Sequence, residues 1–414
     1  MVSQWRGLHG SVAISSRGHR RLGARAADEH SVSYTAKFGN FVLLAPPTIM
    51  TRPFTRQIQH FLFVPLLLSG LLGLGVSTTD AAEDRLVFLP PETTQTTKHI
   101  VLIAGDEEYR SEETMPMLGK ILSQRHGFRC TVLFSFGPDG AAYIDPNHQA
   151  GLRGMEALDD ADLMLIGTRF RRPSAAQAMH VTRFLSEGKP VIGIRTATHA
   201  FQGSGSFGDA IPYGQFGRLI LGEQWVSHHG AHKRQGARSV LEPAAADHPI
   251  LRSVDSFFAP SDVYGVVNLT DQDQILLRGA VTETLAPDSA IVQGKINDPM
   301  QPLAWLHRYT CPDGVGTGTA FCTTAGAAVD FVDEHLRRLI VNAVYYLTDQ
   351  EVPLRANVDF VDPFYPPFFG FIRDKDFWPS LNRQPSDYGL GKSPITPDPP
   401  GSPVWPYRDR PIDD

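Results

Sequence analysis

The chain predicts a doubly wound, mostly parallel α/β sheet with a C-terminal extension, and three observations carry that prediction. His99–Gly105 (HIVLIAG) is an almost unbroken apolar run, as a strand covered on both faces requires. Four such runs alternate with helical patterns between residues 99 and 201. In Lys189–Phe201 (KPVIGIRTATHAF) the apolar stretch Val191–Ile194 ends in an abrupt polar turn. A strand that stops in a turn and runs into a helix puts the turn residue at the carboxyl edge of a parallel sheet, where open α/β sheets bind ligands.

After the first strand, Thr114 is expected to cap a helix with Pro116 in its first turn and Gly127 beyond its end. Met115, Leu118, Ile121 and Leu122 supply its apolar spacing. Arg129–Phe134 reads as the second strand, Gly151–Leu158 as a short helix and Ala161–Gly167 as the third strand. Ser174 caps a helix to about Glu187, ahead of the fourth strand. Beyond Phe201 the alternation loosens. Tyr213–Leu221 reads as a helix, Trp225–Ser227 as a short strand, and Arg238–Leu241, Val263–Leu269 and Gln274–Ala280 as strands. Leu303–Thr310 and Thr317–Thr324 flank PDGVG as a hairpin. Asp330 is expected to cap the longest helix, which Pro353 ends; Arg337 and Arg338 lie off its apolar stripe. The rest, 351–414, is rich in Pro and aromatic residues. It reads as a strap over 353–380, packed through Phe364, Tyr365, Phe368 and Phe369, and an extended or disordered tail from 385.

The 414 residues have room for one large α/β domain plus extra segments. Residues 83–414 hold 30 basic and 41 acidic side chains, a net −11, which argues against nucleic acid as a partner. They contain no run of 18 apolar residues. Residues 50–82 read as a secretory signal peptide: Arg52 and Arg56, the apolar run 61–76, then Thr79 and Ala81 before a cleavage point. The expectation is therefore export, to the periplasm or the exterior, with membrane attachment only if 61–76 is retained. Residues 1–49 read as a mis-assigned or disordered extension, with Met50 as the start, or else as a long leader. A Cys311–Cys322 disulfide stays open, because a turn centred on Asp313–Gly316 does not set the two opposite each other; no zinc-type Cys/His spacing occurs.

The pieces HIVLIAGDEEYRSEET, ADLMLIGTR, GKPVIGIRTATHAF, PLAWLHRY and TGTAFCTTAG span about 98–350 and resemble the trehalose-utilisation (ThuA-like) family. The resemblance implies a flavodoxin-like, class I glutamine amidotransferase-like fold and an association with sugars, trehalose or oxidised derivatives among them. In working class I amidotransferases the turn reads G-x-C-x-G-x-Q. On that pattern Gly193 matches the first Gly, Arg195 falls on the Cys, Ala197 on the second Gly and His199 on the Gln. An arginine is donor-only and cannot attack a carbonyl. Where the triad His would follow a late strand the chain reads CTTAGAA, with His307 one strand earlier. Cys-dependent acyl transfer is therefore not expected.

At the sheet edge, Asp106 and Glu107 are candidates for proton transfer or for binding sugar hydroxyls, with Tyr109 beside them; Glu108, Glu112 and Glu113 read as a solvated loop. Arg169, Arg171 and Arg172 either hold an anionic group, for which Arg169 is the best placed of the three, or merely face water. Arg195 needs an anion, either Asp106 or Glu107 or a ligand. Thr196 and Thr198 either cap the following helix or contact substrate, and His199 is a candidate for proton transfer. His228, His229 and His232 can converge on a divalent metal with a carboxylate such as Glu223, or line the pocket as proton carriers. A divalent metal is the one cofactor these residues suggest. Three functions follow: a sugar-modifying enzyme using acid–base chemistry, a non-catalytic glycan-binding module, and a metal-dependent hydrolase. The expected partner is a small carbohydrate.

Overall fold

The strand His99–Gly105 is buried along its whole length and lies inside a ten-stranded mixed sheet. The computed structural model describes residues 84–92 and 96–403. The expectations for 1–49 and 50–82 concern residues outside them. In chain order the strands are β1 (Arg85–Phe88), β2 (His99–Gly105), β3 (Arg129–Leu133), β4 (Leu163–Thr168), β5 (Val191–Ile194), β6 (Ser206–Phe207), β7 (Ile211–Pro212), β8 (His228–His229), β9 (Ala237–Leu241), β10 (Phe258–Ala259), β11 (Val263–Tyr264), β12 (Gln274–Val281), β13 (Gln301–Thr310) and β14 (Thr317–Thr323). The helices are α1 (Ser111–His126), α2 (Ala175–Ser186), α3 (Phe216–Ile220), α4 (Glu334–Leu347) and α5 (Phe377–Leu381).

Five strands, β3-β2-β4-β5-β14, are parallel neighbours. Counted along the chain this is the 2-1-3-4-5 order of flavodoxin-like sheets, whose switch point lies between the first and third strands, here β2 and β4. The antiparallel run β13-β12-β9-β10 extends the sheet beyond β14, and β1 pairs antiparallel with β3 at the other edge. The alternation along β2 shows why both faces are covered. Ile100 and Leu102 pack with Leu118 and Ile121 of α1 and with Leu339 and Ile340 of α4. Val101 and Ile103 pack on the other face with Val181 and Leu185 of α2.

Several elements differ from expectation for reasons of tertiary packing. Helix α1 begins at Ser111, three residues before Thr114, with Arg110 in a left-handed conformation (φ 63°) at its N-cap. Ser111 ties the turn down by accepting the Gly105 N–H at 3.0 Å, and Pro116 therefore sits inside the helix. Asp333, not Asp330, caps α4 by accepting the His335 N–H at 2.9 Å. Arg337 and Arg338 are buried, because the strap runs over them: Arg337 donates to the Val358 carbonyl and Arg338 to that of Ala356. The strand expected at Val263–Leu269 is only Val263–Tyr264, paired with His228–His229. The hairpin register sets Cys322 opposite Trp305, and the Cys311 N–H bonds Gly316 at the turn, so the two cysteines are not partners; all three thiols are buried and free.

The strap buries Phe364, Phe368 and Phe369; of the expected tail, the short 3₁₀ turn Pro385–Tyr388 and the buried Tyr388 and Thr396 pack on the domain, and 404–414 lie outside the described residues. Tyr388 stacks on Phe134 at 5.7 Å, and Lys120 reaches the Lys392 carbonyl at 2.7 Å. That cover also buries Glu112 and Glu113, which the sequence pattern assigned to solvent. Among the described residues, no helix is long and apolar enough to cross a membrane.

Candidate functional site

The turn after β5 is an elbow. Arg195 takes a φ of 46°, a left-handed conformation uncommon for a residue with a side chain, and opens the 3₁₀ turn Arg195–His199. Two close approaches hold it. A Cβ added at Gly217 of α3 would stand 2.0 Å from the Thr198 carbonyl oxygen, and one at Gly193 would meet Leu221 at 2.5 Å. The elbow therefore keeps the shape that presents a side chain at the sheet edge, but both terminal nitrogens of the side chain it presents are engaged by protein.

Arg195 is 1% exposed, and both terminal nitrogens of its guanidinium meet protein acceptors, while Nε is buried without a hydrogen-bond partner among the described residues. Nη1 donates to the carbonyls of Thr324 (2.7 Å) and Asp262 (3.1 Å). Nη2 donates to the Ser261 carbonyl, to Asp262 Oδ1 (3.0 Å) and to the Tyr109 hydroxyl (3.3 Å). The Tyr264 and Tyr109 rings lie 4.0 and 4.6 Å from its central carbon. Its anion is thus Asp262, and the expectation that Asp106 or Glu107 would serve is corrected. Asp106 instead accepts the N–H groups of Glu108 and Tyr109, each at 2.7 Å, and burial raises its carboxyl to about 7. Glu107 is shared by two guanidiniums, Arg169 and, at 2.7 Å, Arg171.

Asp262 is the centre of the site. It lies just before β11, 1% exposed, with a φ of 71° that Asp tolerates better than most residues. Besides Arg195 it bonds His232 Nδ1 at 2.6 Å and His228 Nδ1 at 3.2 Å. Burial alone would raise its carboxyl, but the Arg195 charge and the two imidazoles hold it down to about 2. The loop is fixed from behind by Asp330, which accepts the N–H groups of Gly326, Ala327 and Ser261 and the Ser261 hydroxyl.

The imidazoles of His228 and His232 stack at 3.7 Å between centroids, 27° from parallel. Each has its Nδ1 on Asp262; the His228 Nε2 takes no part in those bonds, whereas the His232 Nε2 is buried and faces Glu108. Their environments differ. Burial pushes His228 below its ordinary value, and the Arg195 charge adds to that, against the pull of Asp262. His232 is raised: burial opposes its charge, but the bond to Asp262 and the Glu108 carboxylate, 3.5 Å from its Nε2, outweigh it. His229 does not join them. The short strand β8 turns it away, and its Nε2 lies against the Ile296 carbonyl at 2.6 Å. Glu223 is also elsewhere, accepting the N–H groups of Val267 and Asn268. The expected metal set of His228, His229 and His232 is therefore corrected to His228, His232 and Asp262, whose ligand atoms lie within 4.8 Å of one another.

Two imidazoles and a carboxylate are donors that a divalent ion accepts. Here they are already bonded to each other, and a buried guanidinium stands 3.0 Å from the carboxylate. A dication would have to settle beside that fixed positive charge, so the geometry favours the hydrogen-bonded cluster over a metal centre.

His199 is buried among the rings of Phe170 (4.9 Å), Trp225 (5.4 Å) and Tyr264 (6.2 Å), with Nδ1 3.2 Å from the Thr198 hydroxyl. Burial, then the charges of Arg169 and Arg195, push it well below its ordinary value, so it is a neutral ring near pH 7. Trp225 also touches His228 at 5.9 Å and joins the elbow to the imidazole pair. Thr198 closes the 3₁₀ turn on the Arg195 carbonyl at 3.5 Å, whereas the Thr196 hydroxyl is buried without a partner among the described residues. Tyr109 is buried under Phe369 of the strap at 5.3 Å and serves Arg195. Asp262, Glu108, Tyr264 and Asp330 carry no motif in the sequence that marks them for this site.

No family model and no curated protein matches the chain. Solved structures do. A ThuA-like protein of Bacteroides uniformis is 14% identical with a TM-score of 0.40, over 61% of this chain and 92% of that one. A ThuA-like protein of Parabacteroides merdae is 13% identical with a TM-score of 0.42, over 64% and 95%. PurLQS of Thermotoga maritima is 11% identical with a TM-score of 0.33, over 61% and 100%. These likenesses are distant, and the roles of the site residues rest on this chain's own geometry.

Proposed function

We propose that this protein performs general acid–base chemistry on a carbohydrate at the carboxyl edge of its sheet, after export directed by residues 50–82. The observation that carries the reading is the stacked pair His228 and His232, anchored through Nδ1 to one ionised carboxylate and pushed to opposite sides of their ordinary value. Two titratable groups whose environments drive their pKa values apart form an acid and a base. Asp262 fixes the tautomers: His228, neutral, offers Nε2 as the base, and His232, protonated between Asp262 and Glu108, is the acid whose buried Nε2 proton leaves by way of Glu108. Arg195 is a positioning residue that keeps Asp262 charged. Trp225 and Phe170, both half-buried beside these groups, supply aromatic faces of the kind that pack on the apolar side of a sugar ring. Proton transfer or isomerisation fits this equipment, and nothing in it calls for a covalent nucleophile.

The test is a pH titration of ¹⁵N-histidine-labelled protein followed by NMR. His228 is expected to titrate below about 6.5 and His232 above it, with the separation shrinking in Asp262→Asn. Titration of both rings together overturns the reading. Stoichiometric Zn²⁺ that abolishes both titrations points instead to a metal centre.

A further inference from the structure

We propose that the ligand of this site carries an anionic group, a carboxylate or a phosphate, and that Arg169 receives it. This rests on the acid–base reading above and names the substrate class for it.

The loop after β4 brings Arg169 and Arg171 to the switch point, the crevice between β2 and β4 where sheets of this order bind ligands. One carboxylate, Glu107, serves both guanidiniums. Arg171 is completely buried and its donors are spent: Nη2 on Glu107 at 2.7 Å, Nε on the Arg169 carbonyl at 2.7 Å, and Nη1 on the Pro146 and His148 carbonyls at 2.9 and 3.2 Å. Arg169 uses only Nη1 among the described residues, and its side chain is 21% exposed. A planar fork with free N–H groups and a shared counter-ion is what bidentate recognition of a carboxylate or phosphate requires.

The fork is also held in place. The Phe170 and Phe371 rings lie 4.7 and 5.1 Å from its central carbon, the second of them contributed by the strap. Phe170 takes a φ of 50°, a conformation that a bulky residue adopts only when its surroundings impose it. The Phe170 and Arg171 N–H groups impose it by bonding the His199 and Ala200 carbonyls at 2.9 and 2.8 Å. The consequence is that the Phe170 ring covers both Arg169 and His199. From His199 the contacts run through Trp225 to His228, so a chain of packed rings joins the fork to the imidazole pair. Glu108, the other carboxylate whose charge Arg169 feels, already faces His232 and Lys233.

Binding is measured by calorimetry at low and high salt with D-gluconate, D-glucose 6-phosphate, D-glucose and trehalose. The acidic sugars are expected to bind at least about tenfold more tightly than the neutral ones, the scale of one charge-assisted hydrogen-bond pair. Gluconate against the phosphate ester decides which anion is preferred. Arg169→Gln should lose that preference and Arg169→Lys keep part of it, with thermal melts showing that both fold. Equal binding of acidic and neutral sugars, binding of neither, or a preference unchanged in Arg169→Gln overturns the anion seat. Histidine titrations that move together while Arg169 still selects acidic sugars overturn the acid–base reading and leave the anion seat standing.

Discussion

Arg195 and Asp262 form the pair on which the site depends, and the pair is buried on both sides. Each partner is expensive alone: an isolated charge of this kind in a protein interior costs several kcal/mol. Arg195→Met should therefore destabilise the protein by about 3–5 kcal/mol in urea denaturation. Asp262→Asn placed in that background should recover part of the loss, because it removes the stranded carboxylate. A double-mutant cycle in which the two changes simply add would show that the pair is not coupled. Arg195→Lys keeps the charge but not the fork that reaches five oxygens, so it should not rescue fully.

At the level of elements, the elbow is set by what leans on it. Helix α3 meets the 3₁₀ turn backbone to backbone at Gly217, with no room for a methyl group. Gly217→Ala is expected to cost at least about 1–3 kcal/mol, since one of the two segments must move. Gly214, one turn earlier, has open space where its Cβ would stand. Gly214→Ala should melt within a degree or two of the parent, and an equal loss at both positions would mean that the close approach is not responsible.

The whole molecule adds a pH dependence through its C-terminal cover. The chain around 383–396 closes over Glu112 and Glu113 at the start of α1, with Tyr388 buried beside them. Burial raises both carboxyls, and the neighbouring Glu112 charge contributes to raising Glu113 to about 8. A carboxyl raised in the folded state binds protons that the unfolded chain has already released. Its contribution is thus full below about 4.5 and is lost as pH rises toward 8, at up to about 1.4 kcal/mol per pH unit for one proton. Thermal melts should fall between pH 5 and 8, and Glu113→Gln should flatten that slope. A slope unchanged in the variant would place the proton elsewhere.

The sheet was legible because burial on both faces leaves a local trace, the unbroken apolar runs of β2, β4 and β5 between polar turns. The elbow was legible for the same reason, as was its lack of a nucleophile: those are properties of residues adjacent in the chain. Arg110 before α1 and Asp333 before α4 fell outside reach, since tertiary contacts displaced the caps that propensity favours. His228 and His232 stand out in the sequence as a histidine cluster, but the carboxylate that joins them could not be read. Asp262 lies 67 residues from Arg195 and 30 from His232, and no periodicity links them. Only the return of the antiparallel strands to the carboxyl edge chose it over Asp106 and Glu107, which sit closer to the first strand but have their oxygens committed to backbone N–H groups and to Arg169 and Arg171. Sequence patterns report how each element is buried; which buried charge meets which is decided where the loops converge.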